Sequence, residues 1–253
     1  MQALAVAAIA FVGLFGGVCA GMWGARRLKE EHLSKSTEDA VKLGVGMVAA
    51  MSSLILGLMT ASVKGNFDTT GRDVQQFTTD LITLDTSLRA YGPGADDARR
   101  LLTAYTRHAL AETWPERPEG RVRVDGVTSK TRLEAVGYAI RMLASATPVE
   151  AELRAEALDR YKAAATLRWT VVAESVTAVP PVFTAVLIVW LCLIFVSFGL
   201  FSPVNVVSLV VFLLCAVSLA GALFLILEMS SPFDGIIRVP DTAMKGALAQ
   251  MLR

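Results

Sequence analysis

The sequence predicts an all-α integral membrane protein with four transmembrane helices in two hairpins and a helical soluble insertion between helices two and three. Three observations carry this. Four apolar stretches, residues 1–23, 43–63, 180–201 and 204–227, each have about the 20 residues that a helix needs to cross a hydrocarbon core. A long polar block separates the second stretch from the third. None of the stretches alternates with the period of barrel strands, and in lipid the helix is then the conformation that satisfies its own backbone hydrogen bonds. The chain divides accordingly into a first hairpin with a basic loop (1–63), a helical soluble domain (64–179), a second hairpin (180–227) and a C-terminal tail (228–253).

Composition agrees with lipid as the principal solvent. Hydrophobic residues make up 54% of the chain, more than a polar-surfaced soluble domain carries. The net charge of +1, with no dense Lys/Arg run, argues against nucleic acid as a partner. Cys19, Cys192 and Cys215 all fall in apolar stretches, so the polar block has no disulfide or CxxC metal motif. The first stretch reads as a retained helix and not a secretory signal, because Arg26, Arg27 and Lys29 follow it and no basic residue precedes it. Val18 is also too large for the site before a lipoprotein cysteine.

Within the first helix Gly13, Gly17 and Gly21 recur every four residues and leave one face without side chains. The second helix carries a similar stripe, Gly46, Ala50, Ser53, Gly57 and Ala61, within about 80° of a helical wheel. The expectation is that the two stripes meet in a tight hairpin. Past Val63 no strong breaker occurs before Gly92-Pro93, so the second helix is expected to run on into water, although Gly65 and Gly71 weaken it. Phe67, Thr70, Val74, Phe77, Leu81, Leu84, Leu88 and Tyr91 keep the alternating three-four spacing of a bundle seam.

A helix over 95–113 follows, with Leu101, Leu102, Tyr105 and Leu110 as its apolar face, stopping before Trp114-Pro115. Pro118, Gly120 and Gly126 mark a loop, and residues 128–146 read as a further helix with Leu133, Val136, Tyr138, Ile140 and Leu143 inward. Thr147 is the expected cap of the next helix and Pro148 its first residue, with Val149, Leu153, Leu158 and Tyr161 leading to Arg168-Trp169. Pro180-Pro181 either kink this rod or start a new helix. The short Ser202-Pro203 link makes the last two membrane helices antiparallel neighbours, and Pro232 stops the chain's final apolar helix.

Chemistry is sparse. His32 and His108 are the only histidines, there is no HExxH, GxSxG or Walker sequence, and the expectation is a protein that is not an enzyme and carries no cofactor or metal. Glu174 and Glu228 are expected at membrane interfaces. Asp234 and Asp241 could join Glu228 around a divalent ion, but the spacing matches no calcium loop and a turn at Asp234-Gly235 is the better reading. Away from its small stripe the second helix presents Val48, Ser52, Ile55, Met59, Ser62 and Asn66. In a symmetric assembly these would line a pore, with Ile55 and Met59 as its narrow apolar section.

Several landmarks together resemble the bacterial bestrophin-like domain family of four-helix membrane proteins. They are the Arg26-Arg27 loop running to His32-Leu33, the long second helix, Glu112-Thr113-Trp114-Pro115, Arg168-Trp169 before a proline-led helix, and Ser231-Pro232-Phe233-Asp234-Gly235 with Arg238-Val239. The chain departs from that pattern at Thr113, where similar proteins place Glu, and at Met229-Ser230, where they commonly have Leu-Asp. The resemblance implies a relation to bestrophins, pentameric anion channels whose second helix lines the pore and whose helical domain is cytosolic. The expected function is therefore an oligomeric ion channel of a bacterial plasma (inner) membrane, multi-pass, with the lipid bilayer, inorganic ions and further copies of the chain, in number five on the bestrophin pattern, as partners. The alternative is a non-conducting scaffold or sensor whose helical domain recruits a partner. Basic residues flank both sides of the apolar stretches, Arg26, Arg27, Lys29, Lys35 and Lys42 against Lys64, Arg72, Arg168, Arg238, Lys245 and Arg253, and do not choose the side of the soluble domain.

Overall fold

The structure, a computed structural model, describes residues 2–29, 34–115, 127–175 and 179–253. Among these residues the regular elements are helices: α1 (Gln2–Ala25), α2 (Lys35–Tyr91), α3 (Asp96–Thr113), α4 (Val127–Arg141), α5 (Pro148–Ser175), α6 (Pro181–Phe201), α7 (Val206–Met229) and α8 (Thr242–Met251), with a 3-10 turn at Pro93–Ala95. By length and composition α1, α2, α6 and α7 can each cross a membrane. The chain divides into two compact units, residues 1–65 with 178–230 and residues 66–177 with 231–253. The loop residues His32, Leu33, Pro118, Gly120 and Gly126 lie outside the described residues.

In the first unit α1 packs on α6 and α7. Gly13 faces the Cys192 sulfur, Gly17 the Cys192 carbonyl and Val196, and Gly21 the Val196 carbonyl and Leu200 amide. Because these partners rise in number together, the two helices run parallel. At Gly21 a Cβ would strike backbone, which cannot rotate away as a side chain can, and Gly199 of α6 is equally closed by the Val18 backbone. Ala10, Leu14, Val18 and Met22 fill the space beside this approach with Leu187, Leu191, Ile194 and Phe195 of α6 and Ala216 and Leu223 of α7.

This corrects the expected hairpin of α1 on α2. A Cβ at Gly46 or Gly57 would meet nothing within 4 Å, so the small stripe of α2 is open in the chain. The deciding feature is the single Gly199, a notch on α6 that has no periodic partner on its own helix and so left no repeating signal. Pro180 and Pro181 start α6, Pro181 at its first turn. Asn205 caps α7, its side-chain oxygen accepting from the Ser208 amide at 2.7 Å.

In the second unit α2 continues unbroken through Gly65 and Gly71 and ends before Gly92, whose φ of 95° only glycine adopts without strain. The seam from Phe67 to Tyr91 is buried or half-buried along its whole length. Opposite it half of the apolar lines is alanine: Ala98, Leu102, Tyr105 and Ala109 on α3, and Ala157, Tyr161, Ala164 and Val171 on α5. Leu101 and Tyr138, expected to face inward, are exposed. Large side chains were a poor guide here because the close helix contacts are made by small ones. Gly137 of α4, for instance, has the Tyr161 ring where its side chain would be.

Helix α4 ends at Arg141, short of the expected 146, yet Leu143 still enters the core. The expected cap of α5 is present as a reciprocal pair: Thr147 Oγ1 accepts from the Glu150 amide at 3.1 Å and the Glu150 carboxylate accepts from the Thr147 amide at 3.0 Å. Buried Asp85 accepts from Arg89 at 2.8 Å and from Arg99 at 3.0 Å, joining α2 to α3. Arg89 also donates to the Gln250 carbonyl at 3.0 Å and so fastens α8.

The backbone contact of α1 with α6 gives a direct test. Gly21→Ala is expected to lower stability in detergent by about 1–3 kcal/mol through overpacking. Gly16→Ala, with open space where its Cβ would stand, is expected to move the unfolding midpoint little. Equal shifts for the two variants would contradict this packing.

Candidate functional site

The landmark residues of the soluble unit meet around one point. Trp114 closes α3, its backbone amide still bonding Leu110, and Pro115 prevents a further turn. The Trp114 indole donates to the Val239 carbonyl at 2.8 Å and meets the Phe233 ring edge-on at 5.6 Å between centroids. Pro232, Phe233, Asp234 and Gly235 hold the tail in the matching shape: the Asp234 amide bonds the Ser231 carbonyl at 3.1 Å, Gly235 has φ 91°, and the Val239 amide bonds the Pro232 carbonyl at 2.8 Å. The expected turn at Asp234-Gly235 is therefore what presents Phe233 and Val239 to Trp114.

Beside this contact lies a cavity of about 40 Å³ lined by Tyr105, Glu112, Thr113, Ser129, Arg168 and Phe233, among others. Glu112 is 7% exposed, accepts a hydrogen bond from the Ser129 hydroxyl of α4, and keeps its Oε1 free of protein partners among the described residues. The cavity has room for water to serve that oxygen. Arg168, also buried, lines the cavity with Tyr105 and lies over the Trp169 ring at 5.2 Å. Burial pushes the Tyr105 hydroxyl well above its usual range, with Arg168 opposing the shift. Burial likewise raises the Glu174 carboxyl; the Thr70 hydrogen bond opposes this and Asp73 adds to it.

The cluster ties α3 to α4, to α5 and to the tail. Ser129 belongs to it but carried no motif signal, and the pairing of Trp114 with Phe233 spans too much sequence for any local pattern to reveal. Among the described residues no group of three His, Cys, Asp or Glu side chains could hold a metal ion. His108 is half-buried on α3.

The membrane part of α2 is the second candidate site. Val45, Val48, Ala49, Leu56 and Met59 pack against the α1–α6–α7 core, and Ser52 is 3% exposed. Of the face read from periodicity, Ser52 is buried, Val48, Ile55 and Met59 are half-buried, with Val48 and Met59 against the chain's own helices, and Ser62 and Asn66 are exposed. Periodicity separates the faces of a helix but cannot say which one packs when both are apolar. On the side away from the core Leu43, Met47, Leu54 and Leu58 stand open, flanked by the exposed Gly46, Ala50, Ser53, Gly57 and Ala61. Only 6% of the most apolar window of α2 is buried, against 28%, 33% and 22% for α1, α6 and α7.

Two outcomes follow for the buried cluster. Trp114→Phe keeps the ring contact but leaves the Val239 carbonyl without its donor, and is expected to cost about 1–3 kcal/mol in an unfolding titration. The folded Tyr105 hydroxyl titrates above the value of about 10 that it has unfolded, so the unfolded chain loses the proton first and stability falls as pH rises past about 10. Tyr105→Phe is expected to flatten that alkaline decline, and an unchanged slope would contradict the burial of this hydroxyl.

A family model for the Bestrophin-like domain matches residues 12–244. No curated protein matches the chain. Among solved structures, a point variant of a bacterial bestrophin homologue from Klebsiella pneumoniae is 14% identical, with 100% of both chains covered and a TM-score of 0.71. A second variant of that homologue is 15% identical, covers 100% of this chain and 97% of its own, and has a TM-score of 0.72. A crystal structure described as a membrane protein variant is 16% identical, with 96% and 97% covered and a TM-score of 0.66. At such identities the likeness is one of fold, and it extends over both units. With the family model spanning all but the two ends of the sequence, this chain belongs to the Bestrophin-like domain family.

Proposed function

We propose that the protein is a homo-oligomeric ion channel of bestrophin type, whose four apolar helices cross a bacterial inner membrane and whose pore runs along α2. The observation that carries this reading is the open side of α2, a spanning helix with 6% of its apolar window buried. Lipid could cover that face, but lipid gives no reason for glycine and serine beside it. Small residues gain by letting another helix approach. On a wheel the exposed Ser53 and Gly57 lie to one side of Leu54 and Leu58, while Met51, Ile55 and Ser62 lie to the other. A small flank meeting the bulky flank of the next copy is a head-to-tail contact, the kind that closes into a ring when its rotation divides a full turn.

In such a ring the side of α2 turned away from its own core faces the axis. Leu54 and Leu58, one turn apart and 64% and 62% exposed, take the place of Ile55 and Met59 as the narrow apolar section. Anions are the ion class and five the copy number that the bestrophin pattern suggests.

Flux through liposomes holding the assembled protein tests this. Leu54→Ser and Leu58→Ser are expected to raise anion flux several-fold by wetting the constriction. Met59→Ser, directed at the chain's own helices, is expected to lower stability without raising flux, and Gly57→Leu to impair assembly. Silence of the wild type and both leucine variants in an intact oligomer would refute the pore.

A further inference from the structure

In the first unit a crevice of about 370 Å³ opens between the start of α2 and the turn joining α6 to α7. Its volume falls in the range of roughly 300–1,000 Å³ typical of small-molecule sites. The walls are the apolar faces of Val45, Gly46 and Ala49 on one side and Phe198, Phe201 and Phe212 on the other. At one end of it Glu38 and Lys42, also among its lining residues, form an ion pair of 2.5 Å. Glu38, Lys42, Gly46 and Ala49 follow one another at spacings of four, four and three, so a single line on α2 passes from a charged pair to an apolar wall.

We propose that this crevice binds a zwitterionic phospholipid, with part of an acyl chain between α2 and the three phenylalanines and a phosphoethanolamine headgroup at Lys42 and Glu38. The order of chemistry along the line is that of an amphiphile: adjacent opposite charges, then an apolar channel. Lys42 offers a donor to phosphate and Glu38 an acceptor to the ammonium group, so the pair complements a headgroup that carries both charges. A soluble ion has no use for the aromatic wall. A second copy of the chain, whose open α2 face is small and apolar, has no use for the charged pair. Gly46 leaves the wall open, since a Cβ there would meet nothing within 4 Å. The proposal needs α2, α6 and α7 to lie in a bilayer but does not need conduction.

Native mass spectrometry of the full chain, released from nanodiscs containing phosphatidylethanolamine and phosphatidylglycerol, reads both the bound lipid and the oligomer mass. The expected result is phosphatidylethanolamine retained by the wild type at one copy per protomer. Gly46→Leu puts a branched side chain into the crevice from a position where the Cβ itself meets nothing within 4 Å, and Lys42→Ala removes the phosphate donor; each is expected to weaken retention roughly tenfold. Glu38→Gln is expected to shift the preference toward phosphatidylglycerol. A wild type without lipid, or full retention by both variants, overturns the site. So does a change of oligomer mass in Gly46→Leu while Lys42→Ala keeps its lipid, because the crevice would then belong to a neighbouring copy. Flux measurements are independent of all of these, so failure here leaves the channel reading to its own test.

Discussion

The approach of two backbones at Gly21 and Gly199 is the constraint on which the membrane unit depends. In lipid there is no hydrophobic force between helices, and attraction comes from close van der Waals packing. A contact in which neither helix presents a side chain brings more atoms into range than any leucine interface. It therefore selects α6 as the partner of α1. With α6 and α7 both gathered on α1, α2 meets this group along one side only, through Val45, Val48, Ala49, Leu56 and Met59. Everything distinctive about the exposed side of α2 follows from that choice of partner.

A related economy of size governs the soluble unit. Its helices approach through Ala98, Ala109, Ala157 and Ala164, with Tyr105 and Tyr161 set into the spaces the alanines leave. Narrow separations of this kind make buried polar groups possible, since a short side chain such as Ser129 can reach Glu112 on the neighbouring helix. They also make those groups hard to change, because an unpaired buried donor or acceptor costs more than a pair contributes. Trp114 is the broadest member of the cluster and the one that reaches the tail, so the shape of 231–239 is set by what the indole can bond.

Much of this was legible in the residues. The apolar stretches announced the four long apolar helices, the three-four spacing from Phe67 to Tyr91 announced the seam, and Thr147-Pro148 announced the start of α5. What could not be read was partner choice. The glycine stripe of α1 was visible, but its mate is one glycine on α6, and a single residue has no period. The faces of α2 were separable by angle, yet both carry apolar and small residues, so the angle alone did not say which of them packs against the chain's own helices. In α3 and α4, Leu101 and Tyr138 looked like core residues because bulk was taken for burial, whereas the tight contacts belong to alanine and glycine. The helix α8 in the tail was also missed, being short and without a strong apolar run.

The open side of α2 has a thermodynamic meaning that separates this protein from a soluble one with a comparable patch. In water an uncovered row such as Leu43, Met47, Leu54 and Leu58 would be costly and would drive association by itself. In a bilayer the same row costs little, because lipid tails solvate leucine as well as another leucine does. In the proposed oligomer association must then be specified by shape, which is what Ser53 and Gly57 supply on one flank. The leucines beside them are released from any packing duty, and their side chains are free to define the width and wetness of whatever space the assembled helices enclose. That division of labour along one helix, small residues for assembly and large ones for the conduit, is the physical content of the channel reading, and it places the two roles on residues only one position apart at Gly57 and Leu58.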